Sequence, residues 1–79
     1  MQTIEILKEP VDLFRLLKFE GLASSGGEAK NLIADGLVTV NGETETRKRK
    51  KIVAGDIIGF AGHEFRVLAP GSNAGAGDS

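Results

Sequence analysis

Arg47, Lys48, Arg49, Lys50 and Lys51 stand in one unbroken run, and their chemistry is the plainest in the chain. Five adjacent cations make a local positive field suited to phosphate groups. They are half of the ten Lys and Arg residues in a protein of 79 residues whose net charge is −1. The near-neutral total does not cancel the field, because the acids are scattered from Glu5 to Asp78 and salt screens charges beyond about 8–10 Å. By itself such a run is a solvated loop that repels itself and needs no partner. Any basic run also admits a nuclear-localisation reading, which nothing else in the chain supports. Lys18 and Lys30 add to the functional reading when they are placed on helices beside it, although either one alone is an ordinary surface cation.

Other chemistry is poorly provided for. His63 is the only histidine and there is no cysteine, so no metal-ligand spacing and no thiolate site exist. His63 has no adjacent nucleophile and reads as a turn residue. There is no phosphate-binding loop of the Walker type, no dinucleotide fingerprint and no nucleophile–base pair. Gly26-Gly27 is too short for a nucleotide loop, and Glu28 is placed as a helix cap. The expectation is a protein without catalytic activity, cofactor or metal. No apolar run approaches the roughly 18 residues of a membrane span, and the N-terminus lacks the pattern of a secretory signal. With no cysteine, a cytoplasmic location and a monomer are the simplest expectations.

The elements that hold these cations can be read along the chain. Residues 2–7 alternate loosely and suggest a strand. Pro10 suits the first turn of a helix over residues 11–20, with Asp12 near its N-terminus. Leu13, Leu16 and Leu17 form its apolar stripe, with Phe14 and Phe19 on the flanks and Arg15 facing solvent. Gly21 ends it in the left-handed conformation. Ser25-Gly-Gly-Glu28 has capping-box spacing, with Ser24 as the competing cap. The second helix buries Ala29, Leu32 and Ile33 and stops at Gly36. Its other side is small, with Gly27, Asn31 and Ala34 around Lys30, a surface that a phosphate chain could approach closely. Residues 37–40 form a strand, Asn41-Gly42 is a type I′ hairpin turn, and residues 43–46 return beside it. Further strands are expected at residues 52–53, 57–60 and 64–68, with turns at Ala54-Gly55-Asp56 and Ala61-Gly62-His63. Residues 70–79 have nothing to bury and are expected to be disordered. The fold class is α+β, with two short N-terminal helices on a small, twisted, mostly antiparallel sheet. One domain over residues 1–69 and a tail follow.

Leu13, Leu16-Leu17, Gly21-Leu-Ala-Ser24, Ala29-Lys30, Leu32-Ile33, Gly36, Val38 and Val40-Asn-Gly42, continued by Lys51-Ile-Val53, Gly55-Asp56 and Ile58, make a pattern. This pattern resembles the S4 RNA-binding domain, the αL module, over roughly residues 10–60. The run from Glu45 to Gly55 and the turn from Phe60 to His63 resemble those of its small stand-alone bacterial members. The resemblance implies RNA binding where the two helices meet the following β-loop. Carried over by position, it implies site roles for Lys18, Ser25, Lys30 and Asn41 and for Arg47, Lys48, Arg49, Lys50 and Lys51. Asn41 is equally explained by turn geometry. One departure stands out. Many S4 domains carry arginine directly after the inter-helix serine, but here Gly26 follows Ser25, which shifts the weight of charge to residues 47–51.

The chain has no Tyr or Trp and only four Phe residues, which mostly read as core or strand positions. Platforms for stacking splayed bases are therefore scarce. Recognition is expected to rest on backbone phosphates and shape, which favours structured RNA, with ribosomal RNA one candidate. Two alternatives stay open: a small protein–protein adaptor whose basic loop meets an acidic partner, and an accessory acting in trans with an RNA-modifying enzyme.

Overall fold

The computed structural model describes residues 2–70. Its strands are β1 (Gln2–Glu5), β2 (Val11–Asp12), β3 (Val38–Val40), β4 (Glu43–Thr44), β5 (Lys51–Ile52), β6 (Ile57–Phe60) and β7 (His63–Leu68), with helices α1 (Leu13–Phe19) and α2 (Gly26–Ala34) between β2 and β3. The main sheet runs β1-β7-β6-β3-β4, and β2 pairs with β5 in a separate two-stranded ladder. Only the β1–β7 pairing is parallel. The expected α+β arrangement of two helices on a small, mostly antiparallel sheet is what forms.

The apolar periodicities converge on one core. Leu13, Leu16 and Leu17 of α1 and Ala29 and Ile33 of α2 bury against Ile4, Val38, Ile52, Ile58 and Val67 from the strands, all of them at 4% exposure or less. The α1 stripe is therefore the predicted one. The hairpin turn at Asn41-Gly42 is also as expected, with φ of 54° and 86°, the left-handed values that a type I′ turn demands.

Several boundaries differ. Residues 2–7 form a strand only to Glu5, although Ile6 still bonds the carbonyl of Leu68 through its amide. Pro10 is not in a helix: it precedes β2, where Val11 and Asp12 pair with Ile52 and Lys51. Helix α1 thus begins at Leu13, because pairing with a segment about forty residues away outweighs the local fit of proline to a first turn. The strand expected at residues 52–53 is shifted to Lys51–Ile52 for the same reason, and that expected at residues 43–46 stops at Thr44. Leu32 is half-buried and packs at the edge of the core instead of within it. Phe19, expected on the flank of the stripe, is 61% exposed. The tail expected to be disordered lies, beyond Pro70, outside the described residues.

Candidate nucleic-acid interface

The basic run is anchored, not loose. The first-turn amides of α1 have no partner within the helix, and the N-cap Asp12 makes no side-chain cap bond. The run supplies the missing acceptors. The Leu13 amide donates to the Lys50 carbonyl at 2.9 Å and the Phe14 amide to the Lys48 carbonyl at 3.1 Å. This frees the Asp12 carboxylate, which accepts from the Lys51 ammonium at 2.6 Å and lies 3.8 Å from the Arg15 guanidinium. The hydrogen bond from Lys51, with the nearby charges of Arg49 and Arg15, holds the Asp12 carboxyl below its ordinary range. Arg47 closes the other end. Its guanidinium and its own amide both donate to Glu45, at 2.9 Å for Nε and for the backbone N–H. These bonds depress Glu45 to about 2.

The cations of the run are therefore not equivalent. Arg47 and Lys51 are committed to Glu45 and Asp12 by direct salt bridges, whereas Lys48, Arg49 and Lys50 make no such direct bridge among the described residues. Arg49 and Lys50 act on Asp12 and Glu45 only through their charge. Arg49 turns back over α1, its guanidinium carbon 5.7 Å from the centroid of the Phe14 ring. Lys30 of α2 brings its ammonium to 4.7 Å from the same centroid, and Arg15 of α1 its guanidinium to 5.5 Å. All three lie within the range of cation–π attraction. Phe14 thus gathers cations from two helices and the basic loop around one ring. A guanidinium held over a ring still presents N–H groups to a phosphate; the Nε of Arg15 also lies 3.8 Å from the Asp12 carboxylate. Lys18, exposed on α1, is four residues on from Phe14 and so one turn along the same face.

The departure at Gly26 fits into this arrangement. A Cβ at that position would lie 3.8 Å from Cε2 of Phe14, so the ring rests beside the N-terminus of α2. Lys30, one turn further along α2, and Arg49, from the basic loop, both reach the Phe14 ring that borders Gly26.

The remaining positions are held by structural bonds. Ser25 caps α2, its Oγ accepting from the Glu28 amide at 3.1 Å. Glu28 reaches back to Ser24, not to the Ser25 amide, taking bonds from the Ser24 amide and, at 2.7 Å, its hydroxyl. The two candidate caps therefore act together, and the bonds from Ser24 lower the carboxyl pKa of Glu28. Asn41 joins β3 to β6: its Nδ2 donates to Asp56, and its Oδ1 accepts from the Ile57 amide at 3.0 Å. Its amide group is occupied, and turn geometry accounts for it. His63 opens β7, exposed, its ring 6.3 Å from that of Phe65. No group of three or more His, Cys, Asp or Glu residues able to hold a metal occurs among the described residues. No helix there is long and apolar enough to cross a membrane.

Two residues of this surface escaped the sequence reading. Arg15 is exposed as expected, yet it also borders the ring of Phe14, which the periodicity places only on the flank of an apolar stripe. The available signal was an aromatic and a cation adjacent at the start of a helix, which gains meaning only when α2 and the loop are brought to them.

The S4 domain family model matches residues 4–68. YbcJ of Escherichia coli (strain K12) is 53% identical over 70 residues, covering 87% of this chain and all of that protein. The chain belongs to the S4 domain family. Among its relatives, this S4 domain is also 34% identical over 66 residues to the "Probable ribosome maturation protein RlbA" of Bacillus subtilis (strain 168), covering 82% of this chain and 93% of that one. The solution structure of E. coli YbcJ, described as revealing an αL motif involved in RNA binding, superposes with a TM-score of 0.66 over 87% of this chain and 89% of that one. Helices α1 and α2 and the sheet behind them are the αL arrangement in this S4 domain.

Proposed function

We propose that this S4 domain is a non-enzymatic module that binds structured RNA through the face formed by α1, α2 and the basic loop. The observation that carries this reading is the convergence of Arg15, Lys30 and Arg49 on the Phe14 ring. Three cations from three elements, with Lys18 alongside and Lys48 and Lys50, which make no direct salt bridge, nearby in the chain, make a two-dimensional array of hydrogen-bond donors for phosphate. Such an array matches a folded backbone better than a single flexible strand. The outlying members of the set, Ser25 and Asn41, act by holding the helix N-terminus and the β3–β6 junction in place. Ribosomal RNA is the preferred target class, because a relative at 34% identity carries the name of a ribosome maturation protein. The protein acts as a monomer in the cytoplasm, with no turnover of its own.

The test is binding of a folded RNA, such as a ribosomal RNA hairpin fragment, followed by fluorescence anisotropy. Replacing all five residues of the run by serine would also break the anchors of Arg47 and Lys51, so the sharper variant is Lys48→Ser/Arg49→Ser/Lys50→Ser. With about four to six phosphate contacts in the parent, log K falls against log salt with a slope of roughly −3 to −5. The triple variant is expected to lose most of the affinity at moderate salt. Unchanged affinity in a correctly folded variant would refute the assignment.

A further inference from the structure

Leu7 and Phe19 are the most exposed large apolar side chains among the described residues, at 77% and 61%, and both line the same groove. This depression of about 240 Å³ lies between α1 and the segment that joins β1 to β2. Ile6, Leu7, Val11, Leu16 and Phe19 line it together with Lys8 and Arg15, and no acidic side chain does. Exposed apolar residues scattered singly need no explanation, but a contiguous apolar patch with a charged margin marks a contact surface. The volume falls below the roughly 300–1,000 Å³ of small-molecule sites and suits the side chains of a peptide.

We propose that this groove docks an amphipathic, acidic segment of a partner protein. Its apolar residues seat between Leu7 and Phe19, and its carboxylates meet Lys8 and Arg15. Leu16 and Phe19 lie three apart on α1, which presents the apolar wall over one turn and matches anchors spaced i, i+3 or i+4 on a docked helix. Charge selects this occupant over the others. A second copy using the same patch would set Lys8 and Arg15 against their own equivalents, an unfavourable like-charge contact. The chain's own residues 71–79 contain no Val, Leu, Ile, Phe or Met to fill the groove. A nucleic-acid strand would have to give up phosphate hydration against aliphatic walls that offer no hydrogen bond. Arg15 borders both this groove and the cations around Phe14, so the two surfaces adjoin without sharing their apolar parts.

The probe is a synthetic helical peptide with leucines at i, i+3, i+4 and i+7 and glutamates on the flanking positions. A control peptide has lysines in place of the glutamates. Amide NMR spectra of the full chain are followed on titration with each. The acidic peptide is expected to shift the resonances of Leu7, Lys8, Val11, Leu16 and Phe19, and the basic control to bind about tenfold more weakly or worse. Leu7→Ser/Phe19→Ser, both exposed and so compatible with an intact core, should abolish the shifts, and Lys8→Glu should weaken binding about threefold to tenfold. No binding, equal binding of the two peptides, or shifts mapping elsewhere overturns the proposal. Self-association in ultracentrifugation that Phe19→Ser removes assigns the groove to a second copy instead. Groove resonances that move on deleting residues 71–79 assign it to the chain's own tail. Loss of structured-RNA binding in Leu7→Ser/Phe19→Ser makes it a wall of the RNA site.

Discussion

The Lys30 ammonium stands 4.7 Å from the centroid of the Phe14 ring, tying a side chain of α2 to one of α1 at the place where Arg49 also arrives from the basic loop. The ring is 9% exposed, so its body belongs to the core while its face serves the surface. This dual position makes Phe14 the point at which packing and charge placement meet.

Phe14→Leu should separate those two roles. Leucine keeps most of the buried apolar volume, so stability should fall by only about 1 kcal/mol. The cations lose their common ring, and affinity for structured RNA should drop about threefold to tenfold. Thermal unfolding and anisotropy on the same preparation check both parts. A drop in stability with full RNA affinity would remove Phe14 from the site.

Arg15→Ser and Arg49→Ser address the phosphate contacts one at a time. If each cation neutralises one phosphate, each substitution should make the slope of log K against log salt shallower by about 0.7–0.9. Arg66, on the strand between β1 and β6, provides the control, and Arg66→Ser should leave the slope where it was.

Asp12→Asn tests whether the loop is held in place by its anchor. The exposed Lys51 contact contributes little by itself, but it sits beside the bonds that the Leu13 and Phe14 amides make to the carbonyls of Lys50 and Lys48. Hydrogen exchange at these two amides should quicken in the variant while exchange in β6 and β7 stays unchanged. Equal rates at Leu13 and Phe14 would mean that the β2–β5 ladder alone anchors the loop.

Glu45 gives a pH signature. Its carboxyl is depressed from 4.5 to about 2 by bonds from Arg47, so the folded state holds the ionised form more strongly than the unfolded state does. The contribution to stability is complete above the ordinary glutamate range and is lost as pH falls toward about 2. A carboxyl NMR titration should find its midpoint near that value, and Arg47→Ser should return it toward the ordinary one.

Gly59 carries a packing prediction. It faces Thr39 across the β3–β6 ladder, and a Cβ there would collide with the Thr39 hydroxyl. Gly59→Ala should destabilise the fold by about 1–3 kcal/mol, and Thr39→Ala should restore much of the loss, as a double-mutant cycle in denaturant would measure. Additive effects would show that the two residues do not meet.

What could be read along the chain was local. The α1 stripe of Leu13, Leu16 and Leu17, the serine cap of α2, the Asn41-Gly42 turn and the basic run each depend on residues within a few positions of one another. Periodicity, capping and turn chemistry act at that range, and the family pattern is written in the same residues. What only the tertiary structure decided depends on groups distant in sequence. Pairing of Val11 and Asp12 with Ile52 and Lys51 overrode the helical fit of Pro10, capped α1 with carbonyls of the basic loop, and divided that run into cations with and without a direct salt bridge. The same long-range docking brought Arg15, Lys30 and Arg49 to Phe14 and left Leu7 beside Phe19. Such contacts form only when the core has closed, because the energy that places them comes from burying Leu13, Ile33 and Ile52 and not from the cations themselves.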